Sequence, residues 1–290
     1  MERIKNSRAA SFLVIALIYV AAGAVGICVY LALPYTTWLR LLLGDAAATI
    51  VVFIFSVILG NASVYDPYWS VQPPVILIGT AIERGVNPQT VLPLIAVTLW
   101  GIRLTANWAY TFKGLKFEDW RYRMLKAQTK DWYPAVNFFG IHLMPTLIVY
   151  LCVLPAVLAY ENTMFYHPAF AAFLLLSFGG IAIELVADIQ MQRFRKHHAW
   201  LIREGLWKYS RHPNYLGEIM MWWGIGLYSV AAMPDHWYLL GGALAVTMMF
   251  LFISIPIADE RQSQKPGYEK YKAETHMLLP FKKNNGGKKA

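Results

Sequence analysis

Long apolar runs separated by short polar interruptions dominate the chain. Runs near Ser11–Leu33, Leu41–Gly60, Thr90–Phe112, Pro134–Tyr160, Pro168–Ala187, Tyr215–Met233 and Trp237–Ala258 approach the roughly 20 residues an α-helix needs to cross a bilayer. An eighth run, Tyr68–Ile82, is shorter and carries Pro73 and Pro74. The first run is too long for a signal-peptide core, and no small-residue cleavage site follows it. Lipid offers no partners to open backbone groups, so the spans must be helical. The pattern predicts an all-α, multi-pass membrane bundle of seven or eight helices, a single transmembrane domain over residues 1–290.

Composition agrees: 57% of residues are hydrophobic, 15% are charged, and the mean hydropathy is +0.41. Charge adds orientation. Of 26 Lys and Arg residues, all but Arg40, Arg84 and Arg103 fall in four segments: the N-terminus, Lys113–Tyr133, Asp188–Asn214 and the tail from Asp259. The connections Glu161–His167 and Pro234–His236 carry none. The positive-inside rule makes the four basic segments cytoplasmic. Both termini inside requires an even number of crossings, so the Pro-broken run is expected to cross or re-enter, giving eight spans, with seven the alternative. The net charge of +9 thus reports topology, and no nucleic-acid partner is expected. The expected partners are the bilayer and a lipophilic small molecule, in a bacterial inner membrane or a eukaryotic endoplasmic reticulum.

Some features carry little chemistry. Cys28 and Cys152 sit inside apolar runs and suggest neither a metal cluster nor a disulfide framework. His197 and His198 are sequence neighbours that point apart on a helix, a wet interfacial pair rather than a metal site. The tail "KKNNGGKKA" is of low complexity and is expected to be disordered.

Polar groups at the edges of spans are costly, and they gather in three places. "GNASVYDPYWSV" brings Asn61, Tyr65, Asp66, Tyr68 and Trp69 to the boundary between two apolar runs. An Asp-Pro turn within an aromatic belt accounts for part of that stretch. In "LWGIRLTANWAYTFKGLKFEDWRY", Arg103 lies inside a span with Asn107 at i+4, and a buried Arg must find a partner. Asp45 and Asp66 are the acids expected to meet it. The third place is "IELVADIQMQRFRK" with "GLWKYSRHPNYLGE". Glu184 and Asp188 are one turn apart and repel unless something bridges them or one is protonated. Pro213 suits the first helical position. The helix start and Arg211 form an anion pocket, while Asn214 and Glu218 share a face that suits donor groups. A ligand with an anionic part and a neutral, donor-rich part is implied, and a nucleotide cofactor fits. A capped helix with an interfacial ion pair accounts for Arg211 and Pro213 but not for Asn214 and Glu218.

"GLWKYSRHPNYLGE" resembles the signature of the steroid 5-alpha reductase superfamily, and "YEKYKAETHMLLPF" resembles that family's Tyr-containing tail. "ELVADIQMQRFRK" is similar to its preceding helix in the Asp188…Arg195 spacing, with Glu184 where Asn is usual. The resemblance covers residues 184–281, the expected cofactor-binding region; the first half resembles an uncharacterised bacterial branch and lacks the Gln-Glu-Leu-Pro-Ser type element that contacts a steroid carbonyl. It implies an NADPH-dependent oxidoreductase acting on CH–CH groups in lipid metabolism. A hydride reaches the beta carbon of a polarised enone, and a proton the alpha carbon. On matching positions, the resemblance places Asn214 and Glu218 at the nicotinamide end, Asp188 at the adenosine ribose and Arg195 at phosphate. Tyr209, Arg211, His212, Arg261 and Tyr271 complete the expected cofactor set. Tyr65 is the expected proton donor, its hydroxyl held by Asp66 or Arg103, with Tyr68 next in line.

The run "RHPNYLG" followed by "DERQ…YEKYK" also resembles isoprenylcysteine carboxyl and phospholipid methyltransferases, which use S-adenosylmethionine. There His212 and the Asp259-Glu260 pair would serve that cofactor. A non-catalytic scaffold or transporter explains none of the clustering.

Overall fold

The computed structural model describes residues 5–162 and 167–281. Among them the chain forms nine helices and no strand, apart from one isolated parallel bridge between Ser210 and His276. They are α1 (Arg8–Ala32), α2 (Thr37–Leu59), α3 (Tyr68–Arg84), α4 (Pro88–Thr111), α5 (Trp120–Leu158), α6 (Pro168–His197), α7 (Pro213–Ala232), α8 (Pro234–Ser263) and α9 (Tyr268–Glu274). The protein is therefore an all-helical, multi-pass membrane protein. The "KKNNGGKKA" tail lies outside the described residues.

Local chemistry sets the ends. The Asn87 side chain accepts from Gln89 and Thr90 amides at 2.9 and 3.0 Å, and Pro88 takes the first position of α4. Pro213 opens α7 in the same way, as its sequence position predicted. α5 begins far ahead of the expected Pro134, because Asp119 caps the polar stretch "WRYRMLKAQT" by accepting from the Arg121 amide. Its middle, Val136–Leu143, is π-helical.

Six helices (α1, α2, α4, α5, α6 and α8) are long and apolar enough to cross a membrane, fewer than the seven or eight expected. α3 has 17 residues and encloses two prolines. α7 has 20, but Asn214 and Glu218 dilute its apolar character.

The chain divides into two compact units, Met1–Thr163 and Met164–Ala290. In the first, α1 and α2 meet where a Cβ on Gly44 would lie 2.8 Å from the Gly26 carbonyl oxygen. Ile15, Ile18, Ala48 and Val52 form a core there with Tyr65, Tyr68 and Leu115. In the second, α6 and α7 pack so closely that a Cβ on Gly217 would lie 2.5 Å from the Gly180 carbonyl oxygen. The Ser177 hydroxyl, on α6, donates to the Met221 carbonyl at 2.9 Å and ties the same seam.

Candidate functional site

The first unit holds a buried polar cluster around the α2–α3 connection. Asn61 caps a short turn, Ala62–Val64, by accepting from the Ser63 amide at 2.8 Å, and this turn points Tyr65 inward. Tyr65 is 3% exposed. Its hydroxyl pairs at 2.8 Å with Thr146 on α5, which also meets Thr49 at 3.2 Å. Of the expected holders, Asp66 is engaged elsewhere. Asp66 accepts from Tyr122 at 2.6 Å and lies 3.9 Å from the Arg121 guanidinium. Arg103 is buried on α4, and both oxygens of Asp45 are engaged, by Tyr68 at 2.9 Å and Gln72 at 2.7 Å.

Burial pushes the Tyr65 hydroxyl well above the ordinary tyrosine value, outweighing the lowering by Thr146, so this group keeps its proton. Burial also raises the Asp66 carboxyl to about 6, against the opposing pull of Arg121.

Sequence reasoning missed His142, which packs 4.9 Å from the Tyr65 ring. Its Nδ1 lies 2.9 Å from the Asn137 carbonyl oxygen. A carbonyl only accepts, so Nδ1 is the donor and Nε2, fully buried with no hydrogen-bond partner, is left as an acceptor. The available signal was a titratable residue inside an apolar run.

In the second unit, α7's start is joined to the segment after α9. Arg211 donates to the Thr275 carbonyl at 2.8 Å and to Asp259 at 3.1 Å; His212 Nε2 meets the other Asp259 oxygen at 2.8 Å. The Arg211 and His212 amides donate to the carbonyls of His276 and Met277. Tyr271 donates to the Trp207 carbonyl at 2.5 Å. Arg211, expected to face an anion, holds the tail through Nη1 and Asp259 through Nη2, while its buried Nε has no hydrogen-bond partner among the described residues. His212 stacks on Tyr215 with ring centres 5.3 Å apart. Tyr209 is exposed and lies below the Lys208 ammonium. Glu218 is buried and accepts from the Trp222 indole at 2.9 Å; Asn214, one turn earlier, is half-buried.

Cations gather at the α6 and α8 ends. Arg195 is within electrostatic reach of Arg261 and Asp188. Burial, then the nearby Arg195 and Arg261, pull the Lys265 ammonium below its ordinary value. Its Nζ lies 3.4 Å from the Trp200 carbonyl oxygen. Beside this group opens a pocket of about 500 Å³ lined by Phe194, Trp200, Leu201, Arg203, Glu204 and Pro266, within the usual range of small-molecule sites. Lys265, Trp200 and Arg203 were not legible as site residues, because the connection that carries Trp200 and Arg203 has no periodic pattern. Among the described residues no group of three His, Cys, Asp or Glu side chains is arranged to hold a metal.

The family described as "Protein of unknown function (DUF1295)" matches residues 52–275, which take in Tyr65, Asp66 and the residues from Asp188 to Tyr271. A protein of Schizosaccharomyces pombe, described as uncharacterized, is 27% identical over 204 residues. That alignment covers 59% of this chain and 58% of the relative, so the chain spans less than two thirds of the relative's length. No solved structure matches the chain. With most of its length inside the family match, the chain belongs to the DUF1295 family.

Proposed function

We propose that this protein is a membrane-embedded, NADPH-dependent reductase of the steroid 5-alpha reductase superfamily, acting on the polarised C=C bond of a lipophilic enone or steroid-like substrate. The observation that carries this reading is the cation group of Arg195, Arg261 and Lys265 beside an aromatic-edged pocket. Like charges held together on a partly buried surface repel, and an anion with several negative groups relieves that repulsion. Asp188 offsets only part of it.

The residues present fit a phosphorylated dinucleotide. Arg195, Arg261, Lys265 and Arg203 meet phosphate, and Trp200 offers a ring face to the adenine. Asn214 and Glu218, the latter fixed by the Trp222 indole, suit a neutral carboxamide. When bound, NADPH supplies the hydride. Tyr65 holds its proton against ionisation and presents a donor to an enolate oxygen. Arg211, His212 and Tyr271 position the tail.

One observation favours a second reading. Arg211 and His212 converge on Asp259, the residues by which the chain resembles S-adenosylmethionine-dependent methyltransferases. Purified full-length protein, tested separately with NADPH, NADP and S-adenosylmethionine, discriminates by which raises the melting temperature. A response to NADPH, weakened at least tenfold in Arg195→Ala and Lys265→Ala (a lost charge-assisted contact of about 1.5–3 kcal/mol), supports the reductase. A response to S-adenosylmethionine alone overturns it.

A further inference from the structure

A second cavity, of about 340 Å³, lies in the first unit at the end of α2, and neither Tyr65 nor the cation group of the second unit lines it. Lys5, Asn61, Lys116, Phe117, Glu118 and Arg123 are among its lining residues. Its walls are fixed by hydrogen bonds between two connections. Asn61 donates to the Leu115 and Phe117 carbonyls at 2.8 and 3.3 Å. The Ala62 amide donates to Glu118 at 2.9 Å, and the Asp119 amide to the Ser63 hydroxyl at 2.8 Å. Lys5 donates to the Leu59 carbonyl at 2.5 Å, which anchors the third cation.

The loop's acids are engaged elsewhere: Asp119 with Arg121 at 2.8 Å, and Asp66 with Tyr122. Among the described residues, Lys116 and Arg123 enter no ion pair. Among the described residues, three cations and one carboxylate thus line one concavity, a net positive lining of small-molecule size. At its edge Phe117 is 57% exposed. An exposed aromatic ring next to unpaired cations, at the end of a membrane-spanning helix, suits the zone where acyl chain gives way to headgroup.

We propose that this cavity binds a phosphate anion presented as the headgroup of an anionic phospholipid, with Lys116 and Arg123 on the phosphate and Phe117 against the adjoining chain. This proposal does not depend on the cofactor reading. The test uses full-length protein in a neutral detergent, titrated with short-chain phosphatidylglycerol, with phosphatidylcholine of the same chain length, and with inorganic phosphate. Binding is read by native mass spectrometry and by thermal shift. Phosphatidylglycerol is expected to bind at least tenfold tighter than phosphatidylcholine. Lys116→Gln and Arg123→Gln each weaken it about fivefold, as expected for about 1 kcal/mol per cation near a membrane surface, and the double variant removes the preference. Glu118→Gln keeps the carbonyl that accepts from Ala62 but removes the negative charge, so it should bind phosphatidylglycerol more tightly. This gain of function separates ligand binding from loss of folding. Inorganic phosphate that binds as tightly as the lipid, and is lost in the double variant, upholds the phosphate site and assigns it to a free anion. Equal binding of the two lipids, or an unchanged double variant, overturns the proposal.

Discussion

Tyr65 and Asp66 are sequence neighbours whose protons are both held more tightly than in exposed residues of their kind, because burial disfavours the charged forms. Tyr65 is buried against Thr146 and keeps its proton; under the reductase function proposed above, Tyr65→Phe should abolish most turnover while NADPH affinity stays within about twofold, and full turnover would move the donor role elsewhere. Asp66 gives a pH signature. Its folded value, about 6, stands above the ordinary 3.8, so the folded state holds this proton to higher pH than the unfolded chain does. The folded protein gains from this group below about pH 4 and loses that gain as pH rises through about 6. Melting temperatures between pH 4 and 7 should therefore fall more steeply in wild type than in Asp66→Asn, and parallel curves would refute the assignment. Both residues were legible because polar groups interrupt two apolar runs there. Their partners were not, since Thr146 lies 81 positions away and only the packing of α5 brings it near.

The α6–α7 seam shows what close approach demands of an element. At Gly217 a Cβ would meet the Gly180 carbonyl oxygen and the Glu184 Cγ, each at 2.5 Å. Gly217→Ala should destabilise the protein by about 1–3 kcal/mol, whereas Gly23→Ala on α1, with nothing within 4 Å, should be neutral in the same thermal melt. Arg211→Ala makes the complementary test. It strips a donor from the Thr275 carbonyl and a charge-assisted contact from Asp259, which keeps His212, a loss of about 1.5–3 kcal/mol. Limited proteolysis should then cut first between residues 268 and 281, and an unchanged cleavage pattern would show that Arg211 does not hold the tail. The start of α7 was readable from Pro213 alone. The first half of α5 was not, because "WRYRMLKAQT" has no apolar stripe to distinguish helix from loop.

At the scale of the whole molecule, hydropathy and charge give different counts. Six helices qualify as spans by length and apolarity, yet six crossings alone would put Lys113–Lys116 and the α6–α7 connection on the side opposite the other basic segments. Crossing by α3 and α7 as well returns all four to one side. In a variant lacking Cys28 and Cys152, cysteines at Val86 and Asp235 should label from one face of the membrane, and one at Lys116 from the other. A cysteine at the exposed Asn6 that labels from the same face as the one at Val86 would leave α3 re-entrant, and labelling of Val86 and Asp235 from opposite faces would leave α7 re-entrant. The bonds from Arg211 and His212 to residues 275–277 also set an order in time. Translation makes the Arg-His-Pro stretch before α8 exists, so the opening turn of α7 is made unsealed. The second unit reaches its final form only when α8 has inserted and the segment beyond α9 has returned, making the assembly of this region a late event in biogenesis.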